Sequence, residues 1–255
     1  MGSMGSSERL RVITDAVRGA EQLSVAELAA ATGASEMTIR RDLEALAEQG
    51  VLERFRGGAR SLLLRGEGPP FALRKQDGIG AKQRIAAEAA RLIAEGESVV
   101  IDSGTTCLEV ANVLRNHRIT VLPLSLHAAN ALAGGPRLTL LMPGGEVRNG
   151  ELTMTGPLAQ ASLAALRFDT AILGCCGLSA ADGLTAYDLA DAAVKRAAIA
   201  SARRTIVVAD GSKFACTALA AVAPVSSLDA VITDETAPAA QLDALTAAGT
   251  TVLQV

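Results

Sequence analysis

Apolar residues in the first sixty positions recur at the spacing of an amphipathic helix. Ile39, Leu43 and Leu46 stand at i, i+4 and i+7, so they fall on one face and are expected to pack inward. Ser35 is a suitable N-cap, because its hydroxyl can accept a free N–H of the first turn. We therefore predict a helix that begins after Ser35 and runs to about Gln49.

Two further helices are predicted before this one, and a hairpin is predicted after it. Leu10 and Ile13 begin the first helix, while Ser24 caps the second and forms a capping box with Glu27. Residues 51–58 alternate apolar and charged residues and then reach a Gly-Gly turn, which is typical of a β-hairpin. Three helices and a hairpin wing indicate a winged helix-turn-helix domain.

The predicted recognition helix presents polar and cationic side chains near its N-terminal end. At ~100° per residue, four residues lie away from the buried stripe: Met37, Thr38, Arg40 and Arg41. Arginine can form hydrogen bonds with guanine or with a phosphate, and the apolar end of Met37 can contact a thymine methyl. The alternative is a small helical domain with a solvated arginine pair. The ordered set of turn, cap, core stripe and basic hairpin favours DNA binding.

Residues 35–59, SEMTIRRDLEALAEQGVLERFRGGA, closely resemble the N-terminal signature of the DeoR family of bacterial transcriptional regulators. In that family the S-x-x-T-I-R-R-D-L segment is the recognition helix, and R-x-x-G-G-A follows the wing. The resemblance implies two sets of DNA-binding residues. The helix set is Ser35, Thr38, Arg40 and Arg41, and Arg54 and Arg56 lie near the DNA backbone.

From Ala81 onward, short runs of Val, Ile and Leu alternate with helical patterns. We predict a helix over 81–96, ended by Gly96, and further helices between the strands. The strands are predicted at 98–102, 119–124, 138–143, 169–174, 205–210 and 229–234. This alternation indicates an α/β fold with a mostly parallel sheet covered on both faces. The predicted organisation is a DNA-binding domain at 8–60, a linker at 61–79 and a sensor domain at 80–255.

Polar clusters follow three of the predicted strands, where ligands of parallel sheets bind. The cluster over 102–106, DSGTT, offers a glycine, hydroxyl groups and a helix N-terminus, which together suit a phosphate. The alternative is ordinary helix capping. The other two clusters are 174–177 and 210–213. Lys213 in the last cluster and Lys82 before the sheet can each supply a point charge, although either alone is also typical of a surface lysine.

These segments also resemble the DeoR family, through K-x-x-I-A, D-x-G-T-T, G-G, D-x-A-x-L-G and D-x-S-K-F, so that the resemblance covers nearly all of 8–235. It implies a sensor domain that resembles ribose-5-phosphate isomerase in fold and binds phosphorylated sugars. The implied effector residues are Asp102, Ser103, Gly104, Thr105, Thr106 and Lys213, with Lys82, Ser125 and Gly145. The expected function is repression of a carbohydrate-metabolism operon, released or modulated by such an effector.

Two departures from related sequences keep alternatives open. Pro123 and Leu124 stand where family members usually read Thr and Asn, which favours an altered or lost ligand. Residues 173–177, LGCCG, lack the acidic run of the isomerase, whose reaction needs a general base. The alternatives are therefore an isomerase-like enzyme with a DNA-binding head, which the missing run disfavours, and a constitutive DNA-binding protein.

Composition limits the other classes of function. The 255 residues carry a net charge of −3, and residues 1–60 hold eight arginines against nine acidic residues. Specific DNA binding is therefore expected to need a homodimer or homotetramer.

No apolar run approaches the ~20 residues of a membrane span, and no signal sequence is evident. A cytoplasmic protein, nucleoid-associated when bound to its operator, is expected. Four cysteines without a C-x-x-C pair and two histidines predict no metal site and no cofactor.

Overall fold

Two units of the chain, residues 1–77 and 78–255, each have their own apolar core. The computed structural model describes residues 4–20, 22–48, 50–63 and 69–255. The predicted helix end at Gln49 and linker residues 64–68 lie outside the described residues. The two units are described separately below.

The first unit is a winged helix-turn-helix. Its elements in chain order are α1 (Ser6–Gly19), β1 (Leu23–Ser24), α2 (Val25–Thr32), α3 (Glu36–Glu48), β2 (Leu52–Phe55), β3 (Gly58–Ser61) and α4 (Phe71–Gln76). The strands form an antiparallel sheet in the order β1-β3-β2. Ser24 and Glu27 form the predicted capping box at the start of α2. The three predicted helices and the predicted hairpin are therefore confirmed.

The core of this unit contains the predicted stripe of α3. Ile39, Leu43 and Leu46 are at most 1% exposed and pack with residues of α1, α2 and the wing. A partly buried ion pair joins α1 to α3: Arg9 Nε lies 2.5 Å from Asp42 Oδ2, and the two side chains are 13% and 10% exposed. Helix α4 lies within the predicted linker 61–79, where its short FALRKQ segment follows two prolines and shows no helical period.

The second unit is built on a seven-stranded parallel sheet. Its strands are β4 (Ser98–Ile101), β5 (Thr120–Pro123), β6 (Thr139–Leu140), β9 (Phe168–Leu173), β12 (Ala202–Val208), β14 (Ala230–Thr233) and β15 (Thr251–Gln254). Two smaller antiparallel sheets contain β7 (Glu146–Arg148) with β8 (Thr153–Thr155), and β10 (Gly177–Ser179), β11 (Gly183–Ala186) and β13 (Ala220–Ala223). The helices are α5 (Ile79–Arg91), α6 (Thr105–Leu114), α7 (Leu126–Leu132), α8 (Pro157–Ala165), α9 (Leu189–Ser201) and α10 (Ala239–Ala247).

Side chains alternate between the two faces of the large sheet, and helices cover both. Val99 and Ile101 pack with α5, α6 and α7, whereas Val100 packs on the side of α8 and α9. The strand order is β15-β14-β12-β9-β4-β5-β6, so the direction of winding reverses between β4 and β9. In parallel sheets this switch point opens a crevice at the carboxyl ends of the strands.

Some predicted elements differ from the structure. The helix predicted over 81–96 ends at Arg91, because the N–H groups of Leu92 and Ile93 bond carbonyls three residues back and tighten the last turn. The hairpin β7–β8, the sheet β10-β11-β13 and α8 were not predicted. The strands of these two sheets are three or four residues long, which is too short for a clear alternation of apolar and polar residues.

Candidate DNA-binding surface and effector site

The recognition helix begins with a hydroxyl pair. Ser35 Oγ accepts the Thr38 N–H at 3.2 Å, which is the predicted N-cap, and it lies 2.9 Å from Thr38 Oγ1. Ser35 is exposed and Thr38 is half-buried. Capping therefore orders the first turn of α3 while the Ser35 hydroxyl stays at the surface.

The arginines of this unit differ in their partners. Arg40 pairs with Glu36 at 3.0 Å, and Arg54 lies 3.4 Å from Glu44. In the described part of the chain, Arg41 and Arg56 are exposed and form no ion pair. Met37 is also exposed, at 64%. Arg41 and Arg56 are thus the two predicted DNA-binding arginines whose charge is not already offset by a neighbouring carboxylate.

The tip of the wing is a two-residue turn of Arg56 and Gly57, and Gly57 has φ +95°. Gly58 follows at a close backbone contact, since a Cβ there would lie 2.3 Å from the Leu23 carbonyl oxygen and 2.8 Å from the Phe55 ring. Glycine at both positions therefore lets the hairpin turn tightly and pair with β1.

In the second unit, α6 begins at the switch point beside β4. Gly104, with φ +97°, precedes its first turn, and no side chain in the described residues caps the helix. Ser103, Thr105 and Thr106 surround this end and are at most 8% exposed. The first-turn N–H groups and the hydroxyls thus form a concentrated set of donors, which suits an anion.

Asp102, at the carboxyl end of β4, is held by two partners. Its Oδ2 accepts the Gly174 N–H at 2.9 Å and forms an ion pair with Lys195 Nζ. Lys195 also lies 3.6 Å from Asp191 Oδ2, and all three charged residues are at most 5% exposed. Lys195 and Asp191 are not among the predicted site residues, because a Lys–Asp pair at i, i+4 is also typical of a solvated helix face.

Burial and neighbouring charges shift the pKa values of Asp191 and Lys195. Burial and, after it, the charge of Asp102 raise the pKa of Asp191 to about 6, against the attraction of Lys195. Burial lowers the pKa of Lys195, but Asp102 and Asp191 outweigh that effect and hold the pKa above its ordinary value. Lys195 is therefore a permanent cation between two carboxylates.

The two predicted lysines act on a common neighbour, Asp210. Burial raises the pKa of Asp210, but Lys213, Ser212 and Lys82 lower it more, so the pKa lies below its ordinary value. Lys82 is only 4% exposed.

Burial also raises the pKa of the Cys175 thiol to about 12, with Lys213 and Lys195 opposing the shift. That thiol is neutral near pH 7.

The remaining predicted effector residues have local structural contacts. Ser125 is buried and caps α7 by accepting the Ala128 N–H at 3.2 Å. A Cβ at Gly145 would lie 2.3 Å from the Thr155 carbonyl oxygen, so this glycine lets β7 approach β8. Leu124 lies in the apolar core.

Arg148, in the β7–β8 hairpin, lies near the carboxylates of Asp191 and Asp188. Arg148 donates from Nη1 to the Tyr187 hydroxyl at 2.6 Å, and its guanidinium carbon lies 5.1 Å from the centre of that ring. Burial lowers the pKa of Arg148, but Tyr187, Asp191 and Asp188 raise it more. This residue was not predicted, because the hairpin that carries it was not.

Two family models match the chain. The model of the DeoR-like helix-turn-helix domain matches residues 9–63, and the model of the DeoR C terminal sensor domain matches residues 78–235. The chain belongs to the DeoR family. It is a transcriptional regulator and not an enzyme, since its relatives are named as regulators.

Two relatives carry the name glycerol-3-phosphate regulon repressor. The protein of Escherichia coli K12 is 33% identical over 244 residues, which cover 95% of this chain and 96% of the relative. The protein of Haemophilus influenzae is 36% identical over 233 residues, which cover 91% of each. These lengths show that the similarity includes both units of the DeoR regulator.

Solved structures give weaker similarities. Ribose 5-phosphate isomerase A of Methanocaldococcus jannaschii is 17% identical, with a TM-score of 0.40 over 52% of this chain and 53% of the isomerase. The sorbitol operon regulator SorC of Klebsiella pneumoniae is 14% identical, with a TM-score of 0.34 over 75% and 85%. These values are too low to carry an argument, and the fold rests on the strand order itself.

Two kinds of feature are absent from the described residues. No helix there is long and apolar enough to span a membrane. No group of three or more His, Cys, Asp or Glu side chains there is arranged to hold a metal ion.

Proposed function

We propose that this DeoR-family regulator represses a carbohydrate-metabolism operon and that a phosphorylated sugar, or a related phosphate ester, modulates its binding to the operator. The names of the two glycerol-3-phosphate regulon repressors support the class of operon. In this proposal residues 8–60 bind DNA and residues 80–255 bind the effector. Such a regulator works in the cytoplasm, at the nucleoid while bound to its operator.

The uncapped N-terminus of α6 is the observation that carries the effector proposal. Its donors meet at the switch point of the sheet, where a phosphate oxygen can accept from the first-turn N–H groups and from Thr105 and Thr106. Lys213 and Lys82 supply positive charge beside Asp210, close enough to lower its pKa against the effect of burial. Phosphate therefore suits this end of the site better than a neutral sugar.

The DNA-binding proposal rests on the exposed side chains of α3 and the wing. Arg41 and Arg56 are suited to phosphate contacts, while Met37 and Arg40 can reach base edges. Acidic residues balance arginines in this unit, so we propose that a homodimer or homotetramer supplies the affinity for the operator. An effector then regulates binding by favouring one arrangement of the protomers over another.

Release of DNA by phosphate esters tests the proposal. Duplexes would first be selected from a random library with the purified chain, and their binding measured by fluorescence anisotropy. Sugar phosphates, glycerol 3-phosphate and their unphosphorylated parents would then be titrated into the complex. We expect at least one ester, and not its parent, to change the affinity for DNA.

Two variants localise that response. Thr105→Ala combined with Lys213→Ala should bind the selected duplex normally and lose the response to the ester. Arg118→Ala is the matched control, because Arg118 is an exposed cation that precedes β5, at the opposite edge of the sheet. A response that survives the double substitution would place the phosphate elsewhere, and the absence of any response in the unaltered chain would contradict the proposed function.

A further inference from the structure

Three buried polar atoms near the carboxyl ends of β4 and β5 have no hydrogen-bond partner. They are Asp102 Oδ1, Arg148 Nε and Thr153 Oγ1. The described residues hold two others, Thr233 Oγ1 at the end of β14, three strands from β4, and His117 Nδ1. Unpaired buried polar atoms are uncommon, because each loses its hydration without a replacement. Their concentration around the candidate effector site points to a ligand that completes them.

The hairpin holds two of these atoms together. Arg148 and Thr153 are directly opposite in the β7–β8 pairing, so their side chains lie on the same face of the hairpin. Thr153 also forms a bridge with Ser125, and the Met154 N–H donates to the Leu124 carbonyl at 2.8 Å. The hairpin is thus fixed beside the carboxyl end of β5, the strand next to β4.

Asp191 lies between the hairpin and Asp102 in its electrostatic interactions. Lys195 Nζ, which pairs with Asp102, lies 3.6 Å from Asp191 Oδ2. Besides burial, the charge of Asp102 raises the pKa of Asp191, and the charge of Arg148 lowers it. Tyr187 already accepts from Arg148 Nη1, and Lys195 already occupies Asp102 Oδ2. Only one donor of Arg148 and one acceptor of Asp102 therefore stay buried and unpaired.

The chemistry of the three atoms defines what they bind. A carboxylate oxygen accepts, a guanidinium N–H donates, and a threonine hydroxyl does both. An alcohol hydroxyl also donates and accepts, so it can satisfy each of them, whereas an ionised phosphate has no donor for the unpaired Asp102 Oδ1. The phosphate end of an effector fits the donors of α6, and a hydroxyl-bearing end fits this cluster.

We propose that Asp102, Arg148 and Thr153 recognise the hydroxyl groups of the effector. They would thereby determine to which phosphate ester the regulator responds. This specificity role rests on the proposed function, because it assumes that a phosphate ester binds at the sensor sheet. Asp191 and Lys195 are positioning residues in this arrangement: they hold Asp102 and the surroundings of Arg148 in place.

Matched pairs of ligands test the proposal on the full chain. Isothermal titration would compare ribose 5-phosphate with 2-deoxyribose 5-phosphate, glucose 6-phosphate with 2-deoxyglucose 6-phosphate, and glycerol 3-phosphate with n-propyl phosphate. Within the pair that binds, we expect the more hydroxylated member to bind about tenfold more tightly or better, since the deoxy analogue leaves a buried polar atom unpaired.

Conservative substitutions assign that preference to the residues. Thr153→Val keeps the shape of the side chain, and Arg148→Lys keeps the charge but loses Nε and the planar fork. Each should lower the preference about fivefold and leave the affinity for the deoxy member within about twofold. Arg118→Lys, at the opposite edge of the sheet, should change neither affinity, and urea unfolding confirms that each variant folds.

The outcomes separate the two proposals. Failure of every ester to bind the unaltered chain would contradict the proposed function itself. Binding of an ester and its deoxy analogue with equal affinity would overturn only the hydroxyl-recognition role. An unchanged preference in both variants would overturn it as well, and so would an equal loss of affinity for the two members of a pair.

Discussion

Replacing Asp191 by Asn should make the sensor unit more stable at neutral pH. Burial raises the pKa of this carboxyl from 3.8 to about 6, although Lys195 lies only 3.6 Å away. At about 1.36 kcal/mol per pKa unit, keeping Asp191 ionised costs the folded state on the order of 3 kcal/mol. Asparagine has nearly the same shape and does not ionise, so Asp191→Asn should remove this cost.

The sign of the pH dependence follows from linkage. Between about pH 4 and pH 6 the folded state binds this proton more tightly than the unfolded state, so the contribution of Asp191 to stability falls as pH rises. The loss is complete above about pH 6. The variant and the unaltered chain should therefore be about equally stable near pH 4, and the variant should be the more stable at pH 7.5 by about 3 kcal/mol.

Tyrosine fluorescence provides the assay, because the chain contains one tyrosine and no tryptophan. That tyrosine, Tyr187, lies in the sensor unit, so urea unfolding followed at its emission reports on this unit. Asp243→Asn is the control, since Asp243 is exposed on α10 and forms no ion pair in the described residues. A difference between Asp191→Asn and the unaltered chain that stays constant from pH 4 to pH 7.5 would refute the reasoning.

Three further predictions concern the DNA-binding unit. Asp42→Asn leaves the partly buried Arg9 without its carboxylate and should destabilise the unit by about 2 kcal/mol, which thermal unfolding would detect; a loss below about 0.5 kcal/mol would contradict the pairing. Gly58→Ala should weaken the wing and DNA binding together, because its Cβ would meet the Leu23 carbonyl at 2.3 Å; normal binding would show that the close contact is wrong. Arg41→Ala should lower affinity for selected duplexes and reduce the salt slope by about one, whereas an unchanged slope would exclude a phosphate contact.

Local patterns predicted α3 and the polar turn at the start of α6, which is the candidate effector site. Ile39, Leu43 and Leu46 have the spacing of one helix face, and all three are buried as predicted. Ser35 caps the helix that follows it directly in the sequence. Residues 102–106 were recognisable because a glycine and hydroxyls follow a buried strand directly. In both cases the interacting residues are close in sequence.

The charged cluster of the sensor unit was not predictable in the same way. Lys195 is followed by Arg196 in a helix of ordinary amphipathic composition, and its ion pair with Asp102 spans 93 positions. Its burial depends on how α9 packs against β9 and β12, which no local pattern contains. Arg148 was missed for a related reason, because its hairpin has short strands whose position depends on contacts with Ser125 and Leu124.

The most direct test of the account is thermal unfolding of the full chain, followed by tyrosine fluorescence, with phosphorylated sugars, glycerol 3-phosphate and their unphosphorylated parents. A ligand at a hundred times its Kd should stabilise the folded state by about 2.7 kcal/mol. The account predicts a raised Tm with at least one phosphate ester, no rise with its parent, and no rise in the Thr105→Ala, Lys213→Ala variant. Equal stabilisation by ester and parent, or none by any ester, would contradict it.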